Sequence, residues 1–260
     1  MSHQLTANID TAQVVLYLFW VFFFGLIVWL RREDRREGYP LETDSPMQVS
    51  LRTDIRIPAP KSFLLPHDEG IRKAPDFVRD EREIKAVRLA KSAGSPSEPT
   101  GDPLLSAVGP ASYAKRSDHP ELCHEDGGPA IIPMRVAKGF SVDAGPDPRG
   151  WRVIGADGEV AGKVTDIWVD RADLCVRYLE LEIGEAAEGK TNARLIPIQM
   201  LGLDERKKAV NVRALRAEQF VHVPTLEDRD QVTVDEEERV SAFYAGGWFY
   251  AEPKRREPLV

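Results

Sequence analysis

One uninterrupted apolar segment, VVLYLFWVFFFGLIVWL, runs from Val14 to Leu30 without a charged side chain. A helix rises about 1.5 Å per residue, so a segment of this length comes close to the roughly 30 Å thickness of the hydrocarbon core of a bilayer. A buried helix of a water-soluble domain would be expected to carry a polar stripe, and this segment has none. The sequence therefore predicts a single transmembrane helix over residues 11–31.

The basic residues that flank this segment lie on one side only. Arg31, Arg32, Arg35 and Arg36 follow it at once, whereas residues 1–13 contain no Lys or Arg. Because Lys and Arg accumulate on the cytoplasmic side of a membrane helix, we expect residues 1–10 on the opposite side and the rest of the chain in the cytoplasm. A cleaved signal peptide would need a basic start and a small-residue cleavage site, so we expect the helix to be retained.

Charge and motif content exclude several function classes. The formal net charge is −7, whereas nucleic-acid binding requires a clustered positive surface. The sequence contains no phosphate-binding loop, no G-x-G-x-x-G, no H-E-x-x-H and no nucleophile elbow. Cys123 and Cys175 lack metal-type spacing and are expected to be free thiols. We therefore expect a subunit of a larger assembly, without catalytic, cofactor-binding or metal-binding residues of its own.

Residues 32–110 form a Pro-rich segment on the predicted cytoplasmic side. Ten of the 19 prolines of the chain lie between Gly38 and Pro110, and each fixes φ and removes a backbone donor. Apolar residues recur among them, which is unusual for a disordered linker. These residues are Leu51, Ile55, Ile57, Phe63, Leu64, Leu65, Phe77 and Val78. We favour an extended arm on the surface of another protein over a flexible linker, with Glu83–Lys91 as a short strand or helix.

Short strands dominate residues 151–212, within a domain predicted over residues 111–245. Asp157-Gly158 is a turn signal between two strands. CVRYLELEI then alternates apolar and polar side chains, as a half-buried strand does, with Tyr178 and Glu180 on the polar face. ARLIPIQML and AVNV are predicted as two more strands. Five or six short strands without a helical crossover indicate a small antiparallel barrel or sandwich.

A short helix is predicted over Asp235–Ala245, before a tail of residues 246–260. Acidic residues crowd its first turn, and Val240, Phe243 and Tyr244 share one face. The pair Gly246-Gly247 is expected to end the helix.

A polar stretch before the strand-rich region contains His119, His124, Glu125 and Asp126. These side chains are compatible with a metal site or a proton-handling site. Their spacing matches no closed metal site, which favours a polar surface loop.

Several distinctive motifs lie along the chain. They begin with the apolar helix followed by RREDRREGYPLE, and with FLLPH, PTGDPL and VGPASYA. They continue through AGKVTDIWVD, RYLELE, LIPIQM and YAGGWFYAEPKR. In these motifs the chain resembles the H subunit of the photosynthetic reaction centre of purple bacteria. These segments recur in order over nearly the whole chain, and the strand-rich part is similar to the PRC-barrel module. The resemblance therefore implies one transmembrane helix, an extended arm, a mainly-β PRC-type barrel and a short C-terminal helix.

The resemblance also implies a function. The family's H subunit binds no pigment and caps the cytoplasmic side of two pigment-binding subunits, of L and M type, in the intracytoplasmic membrane, with its N-terminus in the periplasm. Those partners carry bacteriochlorophyll, bacteriopheophytin, quinones and non-haem iron, and an antenna ring, a bound cytochrome and membrane lipids are further candidate contacts. The cap stabilises the complex, screens the primary quinone and delivers protons to the secondary quinone. Reduction of a quinone in a dry site requires such a path for protons.

Candidate residues follow from matching positions. The resemblance implies that Asp173, with Asp170 and Arg177 beside it, lies near the proton path of the secondary quinone. The alternative is an ordinary ion pair at a strand end. Where some relatives carry an Asp and two histidines at which protons enter and transition metals bind, this chain reads Cys123-His124-Glu125-Asp126-Gly127. His124 and Asp126 remain candidate proton-collecting groups, and a metal site is not expected.

Two further points concern lipid contacts and an alternative function of the chain. Arg31 and Arg32 are candidate contacts for lipid phosphates at the membrane surface. The competing interpretation of the chain is a membrane-tethered PRC-barrel adaptor used in assembly or RNA-processing machinery. Such an adaptor would share the strand-rich region without requiring the Pro-rich arm or the basic segment after the helix.

Overall fold

The structure, a computed structural model, describes residues 4–6, 9–39, 57–65, 70–78, 82–90, 92, 95–184 and 192–255. The chain divides into two units, one comprising Met1–Glu81 with Ser92–Gly94 and the other Arg82–Lys91 with Ser95–Val260. The Pro-rich segment contributes residues to both. Leu51 and Ile55, which supported the prediction of an extended arm, lie outside the described residues.

The first unit contains one long helix and two antiparallel strand pairs. Its elements are β1 (Gln4–Thr6), β2 (Ile9–Asp10), α1 (Thr11–Glu33), β3 (Lys61–Leu64) and β4 (Ile71–Ala74), with β1 paired to β2 and β3 to β4. Helix α1 begins where the Asp10 carboxylate accepts the backbone N–H of Gln13 at 2.8 Å. Arg31 and Arg32 occupy its last turn, where positive charge complements the helix dipole.

Helix α1 has the length and composition of a membrane-spanning helix. Its 23 residues rise about 34 Å, somewhat more than the hydrocarbon core of a bilayer. An 18-residue window within Thr11–Arg36 has a mean hydropathy of 2.3. None of the residues of α1, all of which the structure describes, is buried. The prediction of a single N-terminal apolar helix is confirmed.

The second unit is built around a seven-stranded sheet. Its elements are β5 (Ala86–Arg88), β6 (Ser97–Pro99), β7 (Ile131–Pro133), β8 (Arg152–Ile154), β9 (Val160–Asp170), β10 (Cys175–Glu182), β11 (Ala193–Pro197), β12 (Leu201–Asp204), β13 (Ala209–Val212) and α2 (Val234–Tyr250). The sheet order is β11-β10-β9-β8-β13-β12, and β7 also pairs with β9. Strands β5 and β6 form a separate hairpin, so Glu83–Lys91 contains a strand. The predicted mainly-β architecture with a short C-terminal helix is confirmed.

The core lies between the sheet and α2. Trp168, Leu179, Leu181 and Ile196 on the strands are almost completely buried. Val240, Phe243 and Tyr244 are the buried face of α2, as the helical spacing predicts. Thr233 caps this helix, since its hydroxyl accepts the backbone N–H of Glu236.

Two details of the predicted strand order are wrong. The segment ARLIPIQML is divided into β11 and β12 by a 3₁₀ turn over Ile198–Met200, because the chain turns after Pro197, a residue that cannot donate to a further ladder bond. The sheet is also not entirely antiparallel. Strand β13 pairs in parallel with β8, which brings together two segments far apart in sequence.

Strand β10 is buried on both faces in its middle, which contradicts the prediction of a half-buried strand. Tyr178 and Glu180, assigned to the polar face, are only 5% and 3% exposed. The Tyr178 hydroxyl donates to Glu237 of α2 at 2.6 Å, and Glu180 is bonded to Arg135 at 2.7 Å. Polar side chains from two distant segments therefore cover the face that the local pattern assigns to water.

The prediction that Gly246-Gly247 ends α2 is wrong. The helix continues through both glycines to Tyr250. A Cβ atom on Gly246 would lie 2.3 Å from the Cβ of Ala111, and one on Gly247 would lie 2.5 Å from the carbonyl oxygen of Ala214. The two glycines therefore allow α2 to pack closely against Ala111 and Ala214. They do not end the helix.

Candidate functional site

Four of the predicted site residues meet at the end of the β9–β10 hairpin. Asp170 is the last residue of β9 and is 3% exposed. Its Oδ1 accepts the backbone N–H groups of Ala172 at 2.9 Å and Asp173 at 3.0 Å, and its Oδ2 lies 3.7 Å from Nε of Arg177. Asp126 forms an ion pair with Arg171, the next residue after Asp170. We call Asp126, Asp170, Arg171, Asp173 and Arg177 the Asp170 cluster.

A β-bulge determines where the side chain of Arg177 lies in this cluster. In the register of β10 with β9, Val176 lies opposite Val169 and Tyr178 lies opposite Trp168, so Arg177 is the extra residue. Bulges bend a strand and redirect a side chain. Arg177 consequently lies beside Asp170 rather than opposite a residue of β9, an arrangement that the alternating pattern of the sequence does not reveal.

The Asp170 carboxylate organises the turn, whereas Asp173 projects from it. Two backbone N–H groups and the guanidinium of Arg177 satisfy the buried Asp170 side chain. Asp173 is exposed, and it is its backbone N–H, not its carboxylate, that bonds to Asp170. The Asp173 carboxylate is thus accessible from outside the unit, as is that of Asp126, which is paired with Arg171.

A second carboxylate, which sequence reasoning missed, lies next to Arg177. Glu237 accepts the hydroxyl of Tyr178, and both line a polar cavity of about 320 Å³ that also contains Arg177, Glu121 and Ser241. Burial raises the pKa of Glu237, although Tyr178 and Arg177 act in the opposite direction. Burial, and then the proximity of Glu237, also raise the pKa of Tyr178. Only the tertiary fold reveals this site, because α2 brings Glu237 to a strand 59 residues earlier.

Replacement of Glu237 by Gln is expected to change how stability depends on pH. Because the folded-state pKa of Glu237 is raised above 4.5, its stabilising contribution is fully present below about pH 4.5 and is lost as pH rises through the raised value. The variant lacks this loss, so its free energy of unfolding should increase relative to wild type as pH rises. Urea unfolding of both proteins at a series of pH values tests this, with the exposed Glu159→Gln as control. A pH-independent difference would contradict it.

The loop that contains the predicted proton-collecting residues is held by Asp126. Arg171 donates to Asp126 and, at 3.2 Å, to the carbonyl of Pro129. The hydrogen bond from Arg171, followed by one from the backbone of Gly128, lowers the pKa of Asp126. Asp126 is therefore suited to attracting positive charge, and less suited to releasing and regaining a proton near neutral pH. His124 in the same loop is exposed.

No group of three or more His, Cys, Asp or Glu side chains within the described part of the chain has a geometry that could hold a metal ion. Cys123 in the loop is buried, which raises the pKa of its thiol, and it is not bonded to Cys175.

Comparison with known families identifies the chain. The family model of the photosynthetic reaction centre H-chain N-terminal region matches residues 3–136. The chain belongs to the reaction-centre H-chain family. The PRC-barrel domain model matches residues 141–219, which contain β8 to β13. The resemblance inferred from the sequence motifs is thereby confirmed, and the match over residues 3–136 is a feature that a membrane-tethered PRC-barrel adaptor would not require.

Membership of the H-chain family has consequences for the site. H chains are non-catalytic subunits of the reaction centre that carry no pigment themselves and associate with the L and M subunits. Together with the apolar helix α1, membership indicates a membrane location. The Asp170 cluster is thus a group of ionisable side chains in a non-catalytic subunit that associates with L and M.

The end of α1 contains a second cluster of polar residues in this H chain. Arg31 and Arg32, the predicted lipid contacts, are exposed. Arg36 is instead turned toward its own unit, and sequence reasoning missed its role. It forms two hydrogen bonds to Glu33, at 2.8 and 2.9 Å, and donates to the carbonyls of Ala59 at 2.8 Å and Ala74 at 3.0 Å. The i, i+3 spacing of Glu33 and Arg36 is the one local signal of this arrangement.

Proposed function

We propose that this H chain caps the cytoplasmic side of the L and M subunits and supports electron transfer from the primary to the secondary quinone by delivering protons to the latter. The Asp170 cluster is the observation that carries the proposal. It combines an exposed carboxylate, a buried carboxylate and a bulge-directed arginine, and it adjoins the polar cavity of Glu237. Ionisable groups that differ in burial and lie close to a charged partner are characteristic of proton-handling sites.

Asp173 is proposed as the group that exchanges protons with the partner complex. Docking of L and M over an exposed carboxylate would remove water from it, and a negatively charged reduced quinone would repel its charge, so both would favour the protonated acid. Arg177 lies in the same cluster and would favour the carboxylate. A group under both influences can take up and release a proton, as a relay requires.

The remaining residues have supporting roles in this proposal. Asp170 orients the turn and holds Arg177, and Glu237 with Tyr178 offers a second carboxylate through which protons reach the cluster from the cavity. His124 and Asp126 lie at its outer loop, where the Asp126 carboxylate attracts positive charge and the exposed imidazole of His124 is a candidate proton carrier.

The proposed orientation follows from the arginines after α1. Residues 1–10 would lie in the periplasm, residues 11–31 would cross the intracytoplasmic membrane, residues 32–110 would extend along the cytoplasmic face, and residues 111–245 would form the cap, followed by the tail. The L and M subunits would carry bacteriochlorophyll, bacteriopheophytin, quinones and non-haem iron. Contacts with an antenna ring or a bound cytochrome are further proposals.

The replacement Asp173→Asn is expected to slow the proton-coupled transfer of the second electron to the secondary quinone by roughly tenfold to a hundredfold, because an amide cannot carry a proton. The rate is measured after paired flashes in L–M complexes reconstituted with the full-length chain. The first electron transfer, which requires no proton, should change much less.

Glu159→Gln provides a matched control for Asp173→Asn. Glu159 is also an exposed acidic residue, but it lies at the opposite end of the eleven-residue strand β9. It should leave both transfers unchanged. An unaltered second transfer in Asp173→Asn between about pH 6 and pH 9 would remove Asp173 from the path, since a relay must respond over the range in which quinone reduction takes up protons.

A further inference from the structure

The β3–β4 hairpin of the first unit exposes apolar side chains on both of its faces. Leu64 lies directly opposite Ile71 at the end of the pair where residues 65–70 connect the two strands, and they are 82% and 69% exposed. Phe63 on the other face is 44% exposed. A two-stranded hairpin is marginally stable in water by itself, and adjacent apolar residues on it favour an environment other than water.

The base of this hairpin is fixed to the last turn of α1. Lys61, the first residue of β3, donates to Glu33 at 2.9 Å. Arg36 donates to the carbonyl of Ala74, the last residue of β4, and to that of Ala59, just before β3. Strands extend about 3.3 Å per residue, so the described strand residues lie roughly 10 Å or less along the strand from this attachment. The headgroup region on one side of a bilayer is about 5–7 Å thick, so the hairpin starts beside it.

Basic residues accompany the apolar ones on both faces of the hairpin. Lys73 shares a face with Leu64 and Ile71, and Arg72 shares the other face with Phe63, according to the pairing register. Both basic side chains are exposed. Among the described residues 57–65 and 70–78, Asp76 is the one acidic residue. The described strands therefore carry an apolar pair at the end next to residues 65–70 and exposed basic side chains on both faces.

We propose that the β3–β4 hairpin is a membrane-interface element, which inserts Leu64 and Ile71 among lipid headgroups and pairs Arg72 and Lys73 with the phosphates of anionic lipids. A lipid layer explains the pattern better than a protein partner does. A protein surface would cover one face of a flat hairpin, whereas headgroups surround both faces, and both are apolar and basic here. Apolar residues interleaved with Lys and Arg are typical of segments that lie in the membrane interface.

This inference rests on the membrane location of α1 and is independent of the proposed quinone function. It also assigns a role to Arg36 and Glu33. Their contacts hold the hairpin at a fixed place relative to the end of the helix, so that the helix and the hairpin contact the same membrane surface as one element.

A spin label at position 64 tests the proposal. The label is introduced as Leu64→Cys in a full-length chain with Cys123→Ala and Cys175→Ala, assembled with L and M in vesicles of phosphatidylglycerol and phosphatidylcholine. Collision rates with oxygen, which partitions into lipid, and with a water-soluble nickel chelate report the environment of the label. We expect oxygen to be favoured at position 64, while a label at Val160→Cys, a 51% exposed site on β9, should be reached mainly by the chelate.

Two other results would overturn the proposal. Preference for the chelate at position 64 would indicate that the hairpin lies in water. Protection from both reagents would indicate a protein partner. The charge contribution is tested by adding Arg72→Gln and Lys73→Gln, which should shift position 64 toward the chelate, whereas Arg206→Gln with Lys207→Gln should not. An unchanged depth in the hairpin variant would exclude the predicted contact with anionic lipid.

Discussion

Replacement of Arg135 by Met is expected to lower the free energy of unfolding of the second unit by about 3 kcal/mol, because it removes the cation from two buried carboxylates. Nη1 of Arg135 lies 2.7 Å from Glu180 and 3.2 Å from Asp166, whose side chains are 4% and 7% exposed. Loss of one partner of a buried ion pair leaves a charge that neither water nor another cation compensates. Arg135 itself is one-third exposed, which places the expected value at the lower end of the usual range.

Other bonds to Glu180 are expected to survive this replacement. Trp168 donates its indole N–H to Glu180 at 2.9 Å, and the hydroxyl of Thr165 donates at 3.0 Å. A second change, Glu180→Gln, should therefore restore part of the lost stability in the Arg135→Met background, since the amide is neutral and its oxygen can still accept from Trp168. In a wild-type background the same change should destabilise the protein, so the double-mutant cycle is expected to be strongly non-additive.

The measurement is denaturant unfolding of the full-length protein, followed by Trp fluorescence, for the four proteins of the cycle. Arg149→Met is the matched control, because Arg149 forms an ion pair at 2.6 Å with Asp147 in which both side chains are about 40% exposed. Such a pair contributes roughly 0 to 1 kcal/mol. An equal cost for the two arginine replacements would show that the cluster around Glu180 is not the buried ion pair described above.

Local sequence patterns predicted the elements whose environment is uniform along their length. Residues 14–30 contain no charged side chain, and a helix with apolar residues all round indicates a membrane span from its own sequence. The buried face of α2 was also predictable, because Val240, Phe243 and Tyr244 follow helical spacing. In both cases the signal lies within one segment.

The errors concern residues whose environment is determined by distant parts of the chain. Tyr178 and Glu180 occupy the polar positions of an alternating strand, and nothing nearby in sequence indicates that Glu237 and Arg135 will cover them. The bulge at Arg177 and the contacts of Arg36 with two carbonyl groups are equally non-local. Asp173 and Arg177 were found because of the family resemblance, and their relation through Asp170 became visible only in the folded hairpin.

Gly246 offers the clearest test of a non-local effect, because the local rule and the structure predict opposite signs. Gly→Ala within a helix normally stabilises by about 1 kcal/mol, since alanine restricts the unfolded chain and favours the helix. Here the new Cβ would lie 2.3 Å from the Cβ and 2.8 Å from the Cα of Ala111, distances that require the backbone to move. Ala111 is 3% exposed and ends the 3₁₀ turn Gly109–Ala111, so it has little space into which to retreat.

We therefore expect Gly246→Ala to destabilise the protein by about 2 kcal/mol, the usual cost of overpacking a close contact less the gain in helix propensity. Gly202→Ala is the control, because a Cβ there would meet nothing within 4 Å. Ala111→Gly should recover part of the loss, since it removes the Cβ–Cβ contact but leaves the contact with the Cα. Thermal unfolding measures all four proteins, and a raised midpoint for Gly246→Ala would mean that helix propensity, rather than packing against Ala111, determines the residue at this position.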